Sequence, residues 1–130
     1  MLRTTYLQNP TPPQRDAMLL VALAQPEKLR IALLLARVPC ACVTDLCTWL
    51  GGEDGPYDSS YMARHLRELL RDNIVRFTFQ GRYKLYHLMA EDQAHPLLGS
   101  LLDLLRAQAY ALSDAERWET LAATGRLILP

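Results

Sequence analysis

The order of segments between Asp58 and Leu88 constrains this chain more than any other feature. A helix-length run capped by Asp58 or Ser59 extends to about Arg71. It carries Leu66, Leu69 and Leu70 on an inward face, while Arg64, Arg67 and Arg71 recur at three- and four-residue steps on another. Asn73 ends the helix. Two β-rich runs follow at once, Ile74 to Phe79 and Tyr83 to Leu88, joined by Gln80-Gly81-Arg82, and together they read as a β-hairpin.

Helical patterns flank that unit. Thr11-Pro12-Pro13-Gln14 is a helix start, with a Thr cap, prolines in the first turn and a Gln three residues on. Met18, Leu19, Ala22 and Leu23 then repeat at helical spacing, which predicts a first helix over about residues 12–24. Gln25-Pro26 breaks it and opens a second helix, apolar on most faces through Leu29, Ile31, Leu33, Leu34 and Leu35, ending near Pro39. A short third helix over about residues 42–50 is closed by Gly51-Gly52, and the segment up to Tyr57 is turn chemistry. After the hairpin, His95-Pro96 opens a leucine-rich helix through Leu97, Leu98, Leu101, Leu102, Leu104 and Leu105. Ser113-Asp114-Ala115-Glu116 reads as a capping box that restarts a helix to about Ala123, with Gly125 after it. Two short helices, a Gly-containing turn and an immediate hairpin make a helix-turn-helix with a wing, so the fold class is mainly α with a β-hairpin wing.

Charge decides what such a domain can bind. The chain has 130 residues, enough for one domain with a modest core, and half are hydrophobic. Its 14 basic and 14 acidic residues cancel, so a nucleic-acid binder of this composition must concentrate positive charge locally. It does so. Between Ser59 and His87, six cations (Arg64, Arg67, Arg71, Arg76, Arg82, Lys84) stand against two anions (Glu68, Asp72), a local excess of +4 that leaves −4 elsewhere. The opening Met1-Leu2-Arg3-Thr4-Thr5-Tyr6 lacks the long apolar core of a secretory signal, and no apolar run reaches the ~18 residues of a membrane span. The expectation is a cytoplasmic protein without membrane contact, its thiols reduced.

Three segments carry a more specific likeness. Ala22-Leu23-Ala24-Gln25-Pro26-Glu27-Lys28-Leu29-Arg30-Ile31 resembles the opening signature of the ArsR/SmtB family of winged-helix repressors, A-L-A-D-P-x-R-L-x-I. Ser60-Tyr61-Met62-Ala63-Arg64-His65-Leu66-Arg67-Glu68-Leu69 resembles its recognition-helix signature, S-x-x-S-R-H-L-x-x-L. Gln80-Gly81-Arg82-Tyr83-Lys84-Leu85-Tyr86-His87-Leu88 resembles its wing, E-G-R-x-x-x-Y-x-L. The three stand in the right order over about residues 20–90. One departure is the turn from Gly51 to Tyr57, several residues longer than the family's.

The resemblance implies a homodimeric transcriptional repressor, not an enzyme, whose two fourth helices enter successive major grooves of a palindromic operator in double-stranded DNA. On B-DNA the half-sites lie ~34 Å apart. Ser59, Ser60 and Tyr61 stand at the start of that helix, with Arg64, His65 and Arg67 one to two turns on, where side chains reach base edges. Arg82 and Lys84 on the wing suit phosphate or the minor groove. Tyr83 and Tyr86 read as hairpin packing. The implied organisation is a flexible arm at residues 1–10, a winged helix-turn-helix domain at 11–92, C-terminal dimerisation helices at 93–124 and a tail at 125–130.

Cysteine chemistry is the remaining candidate. All three cysteines lie in Cys40-Ala41-Cys42-Val43-Thr44-Asp45-Leu46-Cys47-Thr48, too few and too clustered for a disulfide framework. Arsenic-sensing members of the family carry C-V-C-D-L-C-T here. Cys42 and Cys47 match the first and last of those cysteines, Thr44 replaces the middle one, and Cys40 lies two residues upstream. Soft thiolates select soft ions, so As(III) or Sb(III) is the implied inducer, with Cys40, Cys42 and Cys47 as ligands. In an ideal helix Cys42 and Cys47 stand ~140° apart, so ligation must distort the helix start. Cys40, in a flexible lead-in after Pro39, is free to swing in. The helix N-terminus favours thiolate. A thiol-oxidation switch and a repressor that senses nothing at these cysteines remain open as alternatives. No cofactor is needed for folding. His95, Asp92, Asp103 and Asp114 lack the paired spacing of the family's terminal-helix metal site, and no nucleophile–base–orienter motif suggests an enzyme.

Overall fold

The computed structural model describes residues 11–52 and 54–124. The predicted arm at 1–10, the tail at 125–130 with Gly125, and Glu53 of the long turn lie outside them. Among the described residues there are six helices and one hairpin: α1 (Pro12–Ala22), α2 (Pro26–Leu35), α3 (Val43–Leu50), α4 (Ser59–Arg71), β1 (Val75–Gln80), β2 (Tyr83–Leu88), α5 (Pro96–Leu105) and α6 (Ala109–Ala123). This is a winged helix.

Local chemistry sets most of the boundaries. At α1 the capping box is complete: the Gln14 N–H donates to Thr11 Oγ1 (3.4 Å) and the Thr11 N–H to Gln14 Oε1 (2.8 Å). α2 stops at Leu35, short of the predicted Pro39, because proline disfavours helical backbone at Val38; the chain tightens through an Arg37 N–H to Leu34 carbonyl bond. Gly51 closes α3 in extended backbone, and only glycine fits, since a Cβ there would stand 2.5 Å from the Gly55 carbonyl oxygen. Asp58 caps α4 by accepting from the Tyr61 N–H (3.1 Å). Asn73 ends that helix as predicted, in left-handed backbone (φ 60°), so that the Ile74 N–H reaches the Leu69 carbonyl and the Asn73 N–H that of Leu70.

Two predicted boundaries are corrected. Gln80 belongs to β1, paired with Tyr83, so the hairpin turn is the two residues Gly81-Arg82, with Gly81 at φ 63° in the manner of a type II′ turn. Ser113–Glu116 is not a helix start. α6 begins four residues earlier, capped by the extended backbone of Gln108, and Ser113 is an exposed residue inside it. The chain between α5 and α6 turns through three-residue bonds from the Ala107 and Gln108 N–H groups, and these set the start.

The core gathers residues from nearly every element. Ile31 and Leu34 of α2 meet Leu46 and Leu50 of α3, Met62, Leu66 and Leu69 of α4, Ile74 and Val75 at the hairpin root, and Trp118 of α6. α6 is fastened to the helix-turn-helix through one carbonyl. The Trp49 carbonyl accepts from Trp118 Nε1 (3.2 Å) and from Arg117 Nη2 (2.9 Å). Trp118 therefore fills volume and satisfies a buried acceptor together. Trp118→Ala should lower the unfolding free energy by about 3–5 kcal/mol, read from urea denaturation at fixed protein concentration.

Candidate nucleic-acid interface and the thiol segment

Helix α4 is sharply two-faced. Met62, His65, Leu66 and Leu69 are buried, while Ser59, Ser60, Arg64 and Arg67 are exposed and Tyr61 is half-buried at the first turn. At the wing tip, Arg82 is exposed beside Gly81. Among the described residues Arg64, Arg67 and Arg82 form no ion pair, whereas Arg71 is paired with Asp72 (3.3 Å). An exposed, unneutralised arginine is the group that phosphate or a guanine edge can recruit without first breaking another contact.

The wing differs from its sequence reading in two respects. Lys84 does not project freely: its ammonium lies 4.0 Å from the centroid of the Phe77 ring and 5.5 Å from that of Tyr86, a cation–π placement. Tyr86 is buried, in keeping with a packing role, but Tyr83 is 61 % exposed and packs nothing into the hairpin. Phe79, at 66 %, is as open.

His65 is removed from the exposed set. The residue is 3 % exposed, beneath the edge of the Tyr61 ring (centroids 4.5 Å apart), and neither ring nitrogen has a hydrogen-bond partner; Glu68 Oε1 is 3.8 Å from Nδ1. Beside it, Lys28 of α2 is buried and pairs with Glu68 (3.2 Å), which holds that carboxyl below its ordinary range. A lysine in a helix that is apolar on most faces is the sequence sign of this contact. Burial pushes the His65 pKa down, and Glu27 and Glu68 pull it up against Lys28 and Arg64; the net shift is downward.

The thiols are arranged in an unexpected way. Cys42 is not in a helix but is the N-cap of α3 in extended backbone (φ −86°, ψ 169°), so the ~140° separation of an ideal helix does not apply. Cys47 is buried in α3. The lead-in is not free. Ala41, between Cys40 and Cys42, is bonded to the wing strand in both directions, Ala41 N–H to the Tyr86 carbonyl (2.9 Å) and Tyr86 N–H to the Ala41 carbonyl (2.8 Å). Nor is thiolate favoured: burial raises the Cys42 pKa, with the Asp45 carboxylate adding to it, and burial, Asp58 and Cys42 raise that of Cys47. Among the described residues no three His, Cys, Asp or Glu side chains gather as a metal site. Of the terminal-helix candidates, His95 caps α5 by accepting from the Leu97 N–H (3.0 Å) and meets Asp16 (3.1 Å), Asp103 pairs with Arg106 and Asp114 with Arg30.

Sequence reasoning missed one junction altogether. Arg30 of α2 donates through Nε and Nη2 to both carboxylate oxygens of Asp114 on α6 (2.7 and 3.1 Å) and through Nη1 to the Tyr57 hydroxyl (3.2 Å). Burial opposes the Arg30 charge, but Asp114 and Tyr57 outweigh it and the pKa is raised. These partners are far apart in the chain and no local motif marks them.

The buried His65 makes stability pH-dependent. Folded, it stays neutral at pH values where the unfolded chain already binds a proton, so the unfolding free energy should fall as pH drops below about 6.5. His65→Phe keeps the ring against Tyr61 and should flatten that part of the profile, read by urea denaturation between about pH 7 and 5. An unchanged slope would show that His65 does not carry the effect.

No family model and no curated relative matches the chain. Solved structures do. HlyU from Vibrio cholerae N16961 is similar at a TM-score of 0.57 and 24 % identity, over 71 % of this chain and 88 % of its own. Its reduced form gives 0.54 and 22 %, over 71 % and 85 %. Rv0081 of M. tuberculosis gives 0.54 and 29 %, over 81 % of this chain and 97 % of its own. The likeness to HlyU and Rv0081 agrees with the winged-helix fold described above.

Proposed function

We propose that the protein is a homodimeric, cytoplasmic DNA-binding repressor of the ArsR/SmtB type, released from a palindromic operator by a thiol-binding inducer. The carrying observation is the set of exposed, unpaired arginines on a two-faced helix and an adjoining hairpin tip: Arg64, Arg67 and Arg82. Arg64 reads a base edge, Ser59, Ser60 and Tyr61 flank it, and Arg82 takes phosphate or the minor groove while Lys84 supports the wing. Dimerisation through the terminal helices is supported by apolar side chains left open on them, Leu20 and Val21 on α1, Leu97 and Leu104 on α5, and Leu112 on α6.

The inducer we assign is As(III) or Sb(III), held by Cys42, Cys47 and Cys40. Each thiol passes its proton to a departing hydroxide as its sulfur bonds the metalloid, so three waters leave and no oxidant is consumed. Bringing Cys40 inward pulls on Ala41 and hence on the wing strand at Tyr86, while strain at Cys47 reaches Tyr57 through its N–H bond to the Cys47 carbonyl (3.1 Å). A second reading rests on Cys42 and Cys47 sharing the cap and the body of one short helix: two-electron oxidation by a peroxide, itself reduced to water, would join them and leave Cys40 aside.

Fluorescence anisotropy on a duplex enriched from a random pool by the wild-type protein tests both. Binding should weaken steeply with salt, and Arg64→Ala should cost about 1–3 kcal/mol. Arsenite should release the DNA; Cys42→Ser and Cys47→Ser should bind DNA normally and ignore arsenite. Arsenite release surviving both substitutions would place the inducer site elsewhere. A wild-type protein that is deaf to arsenite but released by peroxide would favour oxidation.

A further inference from the structure

A chain of contacts runs from the last helix to the arginine that faces DNA. Asp114 on α6 holds Arg30 with two bonds, and Arg30 holds the Tyr57 hydroxyl. The Tyr57 ring stacks on that of Tyr61 (centroids 5.8 Å apart, planes 23° apart), and the guanidinium carbon of Arg64 lies 5.3 Å from the Tyr61 centroid. Asp114 and Arg30 are largely shielded from solvent, with side chains 12 % and 19 % exposed. Tyr57 is also the end of the long turn, and its N–H is fixed to the Cys47 carbonyl.

We propose that Tyr57 is a positioning residue: clamped by Arg30 and Asp114, it sets where Tyr61 and Arg64 stand at the entry of α4. The proposal rests on the reading of α4 as a DNA-binding helix. A turn as long as Gly51–Tyr57 leaves the start of α4 loosely specified unless its last residue is tied down. The hydroxyl and amide of Tyr57 tie it at two points. A free arginine side chain loses much rotamer freedom on docking, and stacking on Tyr61 removes part of that loss before DNA arrives. The clamp therefore acts on base discrimination, which depends on where Arg64 stands, and not on phosphate attraction, which does not.

The test uses the full chain and two duplexes, one enriched from a random pool by the wild-type protein and a scrambled version of equal composition. Tyr57→Phe removes the hydroxyl bond and keeps the ring stack. It should weaken binding to the enriched duplex about fivefold and leave the scrambled duplex and the salt slope unchanged. In an Arg64→Ala background the same substitution should change nothing, because the arginine it positions is gone. Asp114→Asn should act in the same direction as Tyr57→Phe. Equal losses on both duplexes, or a loss that persists without Arg64, would overturn the clamp while leaving DNA binding standing. A wild-type protein that enriches no sequence would overturn the DNA reading and the clamp with it.

Discussion

The Arg30–Asp114 pair is the constraint on which the arrangement of this molecule depends. Asp114 brings a carboxylate from α6 into a site where little of it meets water, and Arg30 answers both oxygens from the centre of α2. A buried ion pair contributes little to net stability compared with a well-packed apolar contact, since both charges lose hydration. What it supplies here is location. Hydrophobic burial of Trp118 would accept several rotations of α6 against the domain; a two-pronged guanidinium–carboxylate contact and the shared Trp49 carbonyl accept one. The third donor of Arg30 then carries that alignment to the turn ahead of α4.

Helix α4 itself is held from two sides. Its apolar face fills the core through Met62, Leu66 and Leu69, and Lys28 reaches from α2 to Glu68 on the flank of that face. Placing an ammonium where 6 % of the residue is exposed costs solvation, which Glu68 offsets. His65 has no hydrogen-bond partner: burial under the Tyr61 ring pushes its pKa down, and both ring nitrogens stand unsatisfied. Of the arginines on the solvent face, Arg64 and Arg67 form no ion pair among the described residues, while Arg71 pairs with Asp72. The inner face is crowded with compensated charge and the outer face holds uncompensated charge, which is how a chain of zero net charge presents a cationic surface.

Much of the fold was legible in the sequence because its boundaries are made by adjacent residues. The Thr11–Gln14 box, the Asp58 cap, the left-handed Asn73 and the Gly81 turn each depend on chemistry within a few positions. The errors have the same logic reversed. Ser113–Glu116 matches a capping box by letters, but the turn at Arg106–Gln108 decides where α6 starts. Helical spacing puts His65 one step from Arg64, and only packing against α2 shows that it faces the opposite way. Tyr83 obeys strand alternation, yet a two-stranded ribbon has no second layer at its tip to bury it. The Arg30 junction and the Lys28–Glu68 pair join residues from separate helices and leave no periodic trace.

The position of the cysteines matters more than their number. A thiol cluster on a terminal loop could take up a ligand without moving anything else. Here Cys40 and Cys42 bracket Ala41, the residue stitched to the wing strand, and the carbonyl of Cys47 carries the residue that ends the long turn. The same short segment thus holds both the wing strand and the turn ahead of α4, through backbone bonds that a side-chain ligand cannot leave undisturbed if it draws the three sulfurs together. Those sulfurs do not gather as a metal site, so under the proposed function the work of gathering them is set against DNA binding. A ligand that binds more tightly to the gathered arrangement must weaken the DNA-bound one by the same factor, and DNA must weaken the ligand in return. Under the proposed function, ordinary coupling through two backbone contacts is enough to make the segment a switch.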